Sequence, residues 1–148
     1  MQDIDSLIEA KKQKDVVPAQ EPAKPTKLKV QIHYCDEFNK TYTHHALKTK
    51  GVKSAYDEFE AAKSNDPNVY FGSKDYKFGN IYDKHVPGLK HAGLTGDKSV
   101  FYTLSGDGDT RHIHVYGIYG HDEAGIGQPQ NINKQKSLAK KLSNQKFD

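Results

Sequence analysis

Two runs of alternating apolar and polar residues, 99–104 and 111–119, flank the sequence Gly106-Asp-Gly-Asp. Val100, Tyr102 and Leu104 share one face of the first run, and Ile113, Val115 and Tyr119 are expected inward on the second. A period of two with glycine and aspartate between the runs specifies a β-hairpin. A hairpin is not stable alone, so the rest of the chain must supply the layers that cover it.

A further alternating run, 28–34, places Leu28, Val30, Ile32 and Tyr34 opposite Lys29, Gln31 and His33 and predicts a strand. Asp36 is positioned to cap a helix that follows. A second helix is expected over 54–65, where Ser54 and Asp57 have capping-box spacing and Ala55, Phe59 and Ala62 form a stripe that ends at Asn65-Asp-Pro. Residues 66–97 carry little periodicity, and their length implies one strand within 85–94 before the Thr95-Gly-Asp turn. Residues 121–129 read as a loop. Residues 131–144 form the last helix, with Ile132, Gln135, Leu138, Ala139 and Leu142 on one stripe and lysines opposite. The expected class is α+β: a small antiparallel sheet, two N-terminal helices packed on it and a C-terminal basic helix.

Residues 15–27 contain three prolines in a polar setting and read as a linker. Before them, Ile4, Leu7 and Ile8 fall at helical spacing, suited to a short docking helix. The chain therefore divides into a disordered or detachable arm, 1–26, and a domain, 27–148. An apolar fraction of 34 % and a mean hydropathy of −0.87 agree with a solvated arm beside one core.

A single cysteine, Cys35, excludes an internal disulfide and a cysteine-rich zinc site. No run approaches the roughly 18–20 apolar residues that span a bilayer, and the acidic N-terminus lacks the charge of a signal peptide. A cytoplasmic protein with no membrane partner is expected. Net charge is +3 at pH 7, but five lysines, 134, 136, 140, 141 and 146, stand against one acid in the last fifteen residues. Such a segment suits phosphate, although a solvated helix face is its commoner meaning. Lys134, Lys136, Lys140 and Lys141, with Tyr119 as an aromatic for stacking, are the candidate RNA contacts.

Cleaving RNA without a metal requires a base for the 2′-hydroxyl, an acid for the 5′-oxygen and cations around the phosphorane; histidine suits the first two. Among eight histidines, His121 lies where the second hairpin strand meets a loop, beside Asp122 and Glu123, whose carboxylates favour the charged imidazole. It is the first candidate for general acid or base, and His85 or His91 for its partner. Arg111, the single arginine, is the candidate phosphate fork. His112 and His114 share a strand face; pairing, base stacking and plain exposure all fit them. No His-Glu-x-x-His, nucleotide-binding loop or other cofactor motif occurs, so neither a metal nor a cofactor is expected.

The order of helices, meander, polar loop and basic helix over 27–147 resembles the RelE/ParE superfamily of toxins. The stretch Tyr70-Phe-Gly-Ser-Lys-Asp-Tyr, His121 and the Asn131 helix are similar to the YafO branch, although the lysine spacing at Gln135 and Lys136 differs. Gly120-His-Asp-Glu-Ala-Gly-Ile-Gly resembles the Thr-His-x-x-Leu-Phe-Gly ending of the YafQ branch, whose histidine is catalytic. The resemblance implies a ribosome-dependent mRNA endoribonuclease acting in the A site, with mRNA, the 70S ribosome and a protein antitoxin as partners. It prefers His91 over His85 as the second proton carrier. A non-catalytic RNA- or ribosome-binding regulator, or a ParE-like gyrase inhibitor, would use the same fold.

Overall fold

The computed structural model describes residues 28–77 and 79–148. The arm and the linker expected within 1–27 lie outside the described residues. Five strands form one sheet in the order β1-β5-β4-β3-β2. The elements are β1 (Lys29–His33), α1 (Asp36–Lys48), α2 (Val52–Asn65), β2 (Asp75–Lys77), α3 (Asn80–His85), β3 (Lys90–Gly93), β4 (Lys98–Ser105), β5 (Thr110–Gly120), α4 (His121–Ala124) and α5 (Ile132–Ser143). The mixed α+β class is the expected one, with a difference at one edge: β1 lies parallel to β5, so only β2 to β5 are antiparallel. The helical connection after β1 permits this, because a parallel neighbour requires a long crossover.

The β4–β5 hairpin forms as the alternation dictates. Gly106 has φ +125°, and a Cβ there would stand 2.4 Å from the Thr110 carbonyl, so the turn requires glycine. Further along, Phe101 faces Gly117 while Tyr102 faces Val115, which leaves Tyr116 as an extra residue in β5. This bulge reverses the facing of everything after it. Ile113 and Val115 join the core under α1 and α2, as expected, whereas Tyr119 enters a second core on the opposite face.

The sheet is thus covered on both sides. Phe38, Val52, Tyr56, Phe59, Val100, Tyr102, Ile113, Val115 and Ile118 fill the layer against α1 and α2. Tyr82, Leu89, Phe101, Tyr119, Leu138, Ala139 and Leu142 fill the layer against α3 and α5.

Several local expectations shift. Cys35, in extended conformation, takes the cap position of α1, and Asp36 and Glu37 fall in the first turn, where they favour the helix dipole. Helix α2 begins earlier, at Val52 after a left-handed Gly51, so Ser54 is inside it and bonds back to the Gly51 carbonyl. Its buried stripe is Val52, Tyr56, Phe59 and Lys63, and Ala55 and Ala62 are half-buried on its flank. Within 85–94 only Lys90–Gly93 is strand, because Pro87-Gly88 makes a turn fixed by the Gly88 N–H donating to Asp83 Oδ1 (2.9 Å). His85 instead closes α3. Helix α5 starts on an Asn131 cap, its side chain accepting from the Lys134 N–H (3.0 Å), and buries Gln135, Leu138, Ala139 and Leu142 but leaves Ile132 46 % exposed.

Candidate functional site

Pairing geometry decides which side chains meet. His91 stands opposite Phe101 on β4 and Tyr76 on β2, so it faces the α5 side of the sheet. Lys74, next before β2, alternates onto that side with Tyr76. The bulge at Tyr116 turns the end of β5 the same way, and α4 then begins with His121 itself in place of the expected loop. Lys74, Tyr76, Gly79, His91, His121, Ile126, Gln130 and Gln135 line one cavity of about 230 Å³.

The backbone around His121 is held twice. Its N–H donates to Asp97 Oδ2 (3.3 Å), and the preceding Gly120 N–H donates to Glu123 Oε1 (2.8 Å). The Lys98 ammonium, with smaller help from this N–H, holds the Asp97 carboxyl below its ordinary range. Among the described residues neither Asp122 nor Glu123 forms a hydrogen bond or ion pair with the His121 ring; Glu123 Oε1 lies 2.9 Å from His45 Nε2. The side-chain partner of His121 is Lys74, whose Nζ is 2.9 Å from Nε2. An ammonium can only donate, so Nε2 carries the accepting lone pair and Nδ1 the hydrogen.

His91 is 3 % exposed, and its Nδ1 lies 3.0 Å from the Tyr76 carbonyl. A carbonyl can only accept, so Nδ1 carries the hydrogen and Nε2 the lone pair. Burial pushes the His91 pKa down to about 4, the Tyr76 carbonyl works against that, and the Lys74 ammonium adds to the fall. At neutral pH His91 is an uncharged imidazole that can accept a proton but has none to give as an acid. Tyr76, 48 % exposed, stands on the rim with its ring edge-on to His91 at 4.9 Å. Gln135 Nε2 donates to the Gly125 carbonyl (2.8 Å), which fixes the amide where α5 meets the cavity.

The cavity therefore joins His121 to His91 and adds Lys74, a residue that the sequence reading passed over although it lies within the quoted Tyr70-Phe-Gly-Ser-Lys-Asp-Tyr stretch. No sequence signal marks it, since the strand it precedes is three residues long and only the pairing of Tyr76 with His91 shows which face Lys74 shares. His85 is not among the lining residues. Arg111 sits at the other end of β5, nine residues before Gly120 and so about 30 Å away. Its Nη1 donates to the carbonyls of Gly108 (3.1 Å) and Thr110 (3.0 Å), and it holds the hairpin turn.

Tyr119 is 5 % exposed, its hydroxyl donating to buried Glu37 (2.5 Å), so it offers no face to a base. Lys136 and Lys140 are exposed on α5, whereas Lys134 donates to the Asp122 carbonyl (3.1 Å) and Lys141 pairs with Glu37 (3.4 Å). A wider depression of about 470 Å³ along α5 is lined by Asn131, Lys134 and Lys141 together with Glu123. His112 and His114 pair with β1: His33 Nε2 is 2.9 Å from His112 Nδ1, and the His33 and His114 rings stack at 4.6 Å. Among the described residues no three His, Cys, Asp or Glu side chains are placed to hold a metal ion, and no helix is long and apolar enough to cross a membrane.

The mixed α+β fold is similar to that of a solved bacterial toxin. The chain is similar to a solved YoeB/ParE toxin from Agrobacterium tumefaciens over 62 % of its own length and 98 % of that chain, with 13 % identity and a TM-score of 0.50. No family model matches the sequence, and no curated protein matches it.

Proposed function

We propose that the protein is a toxin of a toxin–antitoxin pair and acts as a metal-independent endoribonuclease on mRNA in the ribosomal A site. One observation carries this reading: His121, His91 and Lys74 converge on a single cavity at the mouth of the sheet. The 2′-oxygen attacks phosphorus, its proton passes to His121 Nε2, the bond to the 5′-oxygen breaks and a 2′,3′-cyclic phosphate forms. Lys74, displaced from Nε2 by the substrate, supplies the cation for the phosphorane and a proton for the leaving oxygen. His91, neutral at pH 7, accepts a hydrogen bond from the ribose and keeps it oriented.

The exposed Lys136 and Lys140 belong to α5, the helix that gives Gln135 to this cavity, and suit the RNA backbone. The structural neighbour is named a toxin; toxins of this class are held in check by a protein antitoxin, which here would mask the cavity and the basic face. Expression should arrest bacterial growth, and primer extension on a reporter message should find cuts that appear only with ribosomes. Cuts without ribosomes would make it a free ribonuclease. Intact message with growth arrest would favour inhibition of a protein target such as gyrase, and normal growth with soluble protein would favour a non-catalytic regulator.

A further inference from the structure

Lys74 can serve the phosphorane and the leaving oxygen only if its ammonium is held in the cavity beside His121, yet it is the last residue of a nine-residue connection without regular structure between α2 and β2. The adjacent residue explains how. Asp75 points to the opposite face of β2 and is fully enclosed, together with Lys63 of α2, in the core under α1 and α2. Lys63 Nζ donates to Asp75 Oδ2 (2.7 Å) and to the Val69 carbonyl (2.5 Å). The Phe71 N–H donates to the same Oδ2 (2.8 Å), and the Tyr102 hydroxyl donates to Oδ1. One ion pair thus gathers the connection at Val69 and at Phe71 and ties both to α2 and β4. On the other side of Lys74, its carbonyl accepts from the Gly93 N–H (2.8 Å).

A buried ion pair is a poor source of stability, because desolvation offsets its attraction, and apolar residues of similar volume often serve as well. This pair occupies the one place where the unstructured connection enters the sheet, with every carboxylate oxygen given a donor. We infer that Lys63, Asp75 and Tyr102 are positioning residues: through the alternation of β2 they hold Lys74 over His121 and fix the geometry of the cavity from the far side of the sheet. The inference rests on the reading of Lys74 and His121 given above.

The double variant K63M/D75N removes both charges and keeps both volumes. It should remain folded, with kcat for message cleavage lowered by about 10- to 100-fold, the scale of a misplaced catalytic group, and KM within about twofold of the parent. A second readout needs no substrate. Burial is the main cause of the low His91 titration, the Lys74 ammonium adds to it and the Asp75 carboxylate opposes it; K74M should therefore raise the His91 midpoint measured by NMR, and Tyr102→Phe, which leaves the Asp75 charge in place, should raise it in the same direction.

A folded K63M/D75N protein with parental kcat, together with a parental His91 midpoint in Tyr102→Phe, would overturn the inference and reduce the pair to structural filling. If the double variant does not fold, Tyr102→Phe, which deletes one hydroxyl, is read the same way: a midpoint moved toward that of K74M supports positioning, and an unmoved one overturns it. Should the parent cut no RNA, the nuclease reading fails separately, and the His91 midpoints alone decide whether this network places Lys74.

Discussion

His121 and His91 are both imidazoles in one cavity, but their surroundings give them different work. His121 is half-buried against a cation, with its backbone rather than its ring supporting the fold. His121→Ala or His121→Gln should melt within a few degrees of the parent while cleavage falls by ~10²–10⁴-fold, the usual loss for a proton carrier; cleavage within a few-fold of the parent would move the assignment to another group. His91 bears on stability. Its pKa is about 4 in the fold against about 6.5 in an unfolded chain. Between those values the unfolded chain binds more protons, so stability is full above pH 6.5 and is lost as pH falls toward 4, by up to about 3 kcal/mol. His91→Gln, which can still donate to the Tyr76 carbonyl, should flatten the fall of Tm across that window.

Elements were legible where one physical signal dominated. The β4–β5 hairpin, β1 and α5 all follow from periodicity, because in each the apolar residues that face one layer recur at the spacing of a strand or a helix. The segment from Asp66 to Asp97 was opaque: its strands are three and four residues long, too short to show a period, and much of its order comes from long-range donors such as Lys63 and Gly93. The bulge was equally invisible, since Tyr116-Gly117 reads as two ordinary positions until the partner strand is counted. Gly117 marks it. A Cβ there would come within 2.6 Å of the Tyr119 ring, so the ring would have to shift against its hydrogen bond to Glu37. Gly117→Ala should cost about 1–3 kcal/mol by overpacking, visible as a drop in Tm of several degrees; an unchanged Tm would mean that Tyr119 can swing aside. The candidate site was half legible for the same reason. His121 could be found at a strand end, but Lys74 and the separation of Arg111 required the sheet order.

As a whole molecule the domain is a sheet covered on both faces, with the proposed catalytic cavity on one face and the ion pair that supports it on the other. The proline-rich stretch before Lys27 makes no sequence-level claim on either core. Removing residues 1–26 should leave Tm nearly unchanged, and a fall of many degrees in differential scanning calorimetry would show that the arm contributes to the core.

The extra residue at Tyr116 also acts as a counting device. Every side chain after it, His121 included, owes its side of the sheet to one inserted amino acid. A related chain lacking that residue would present the histidine after its last strand to the α1 and α2 layer, even with an identical sequence on either side. An alignment that closes the gap there would carry a catalytic label to the wrong surface, and a one-residue deletion at this point would invert the site without touching any residue in it.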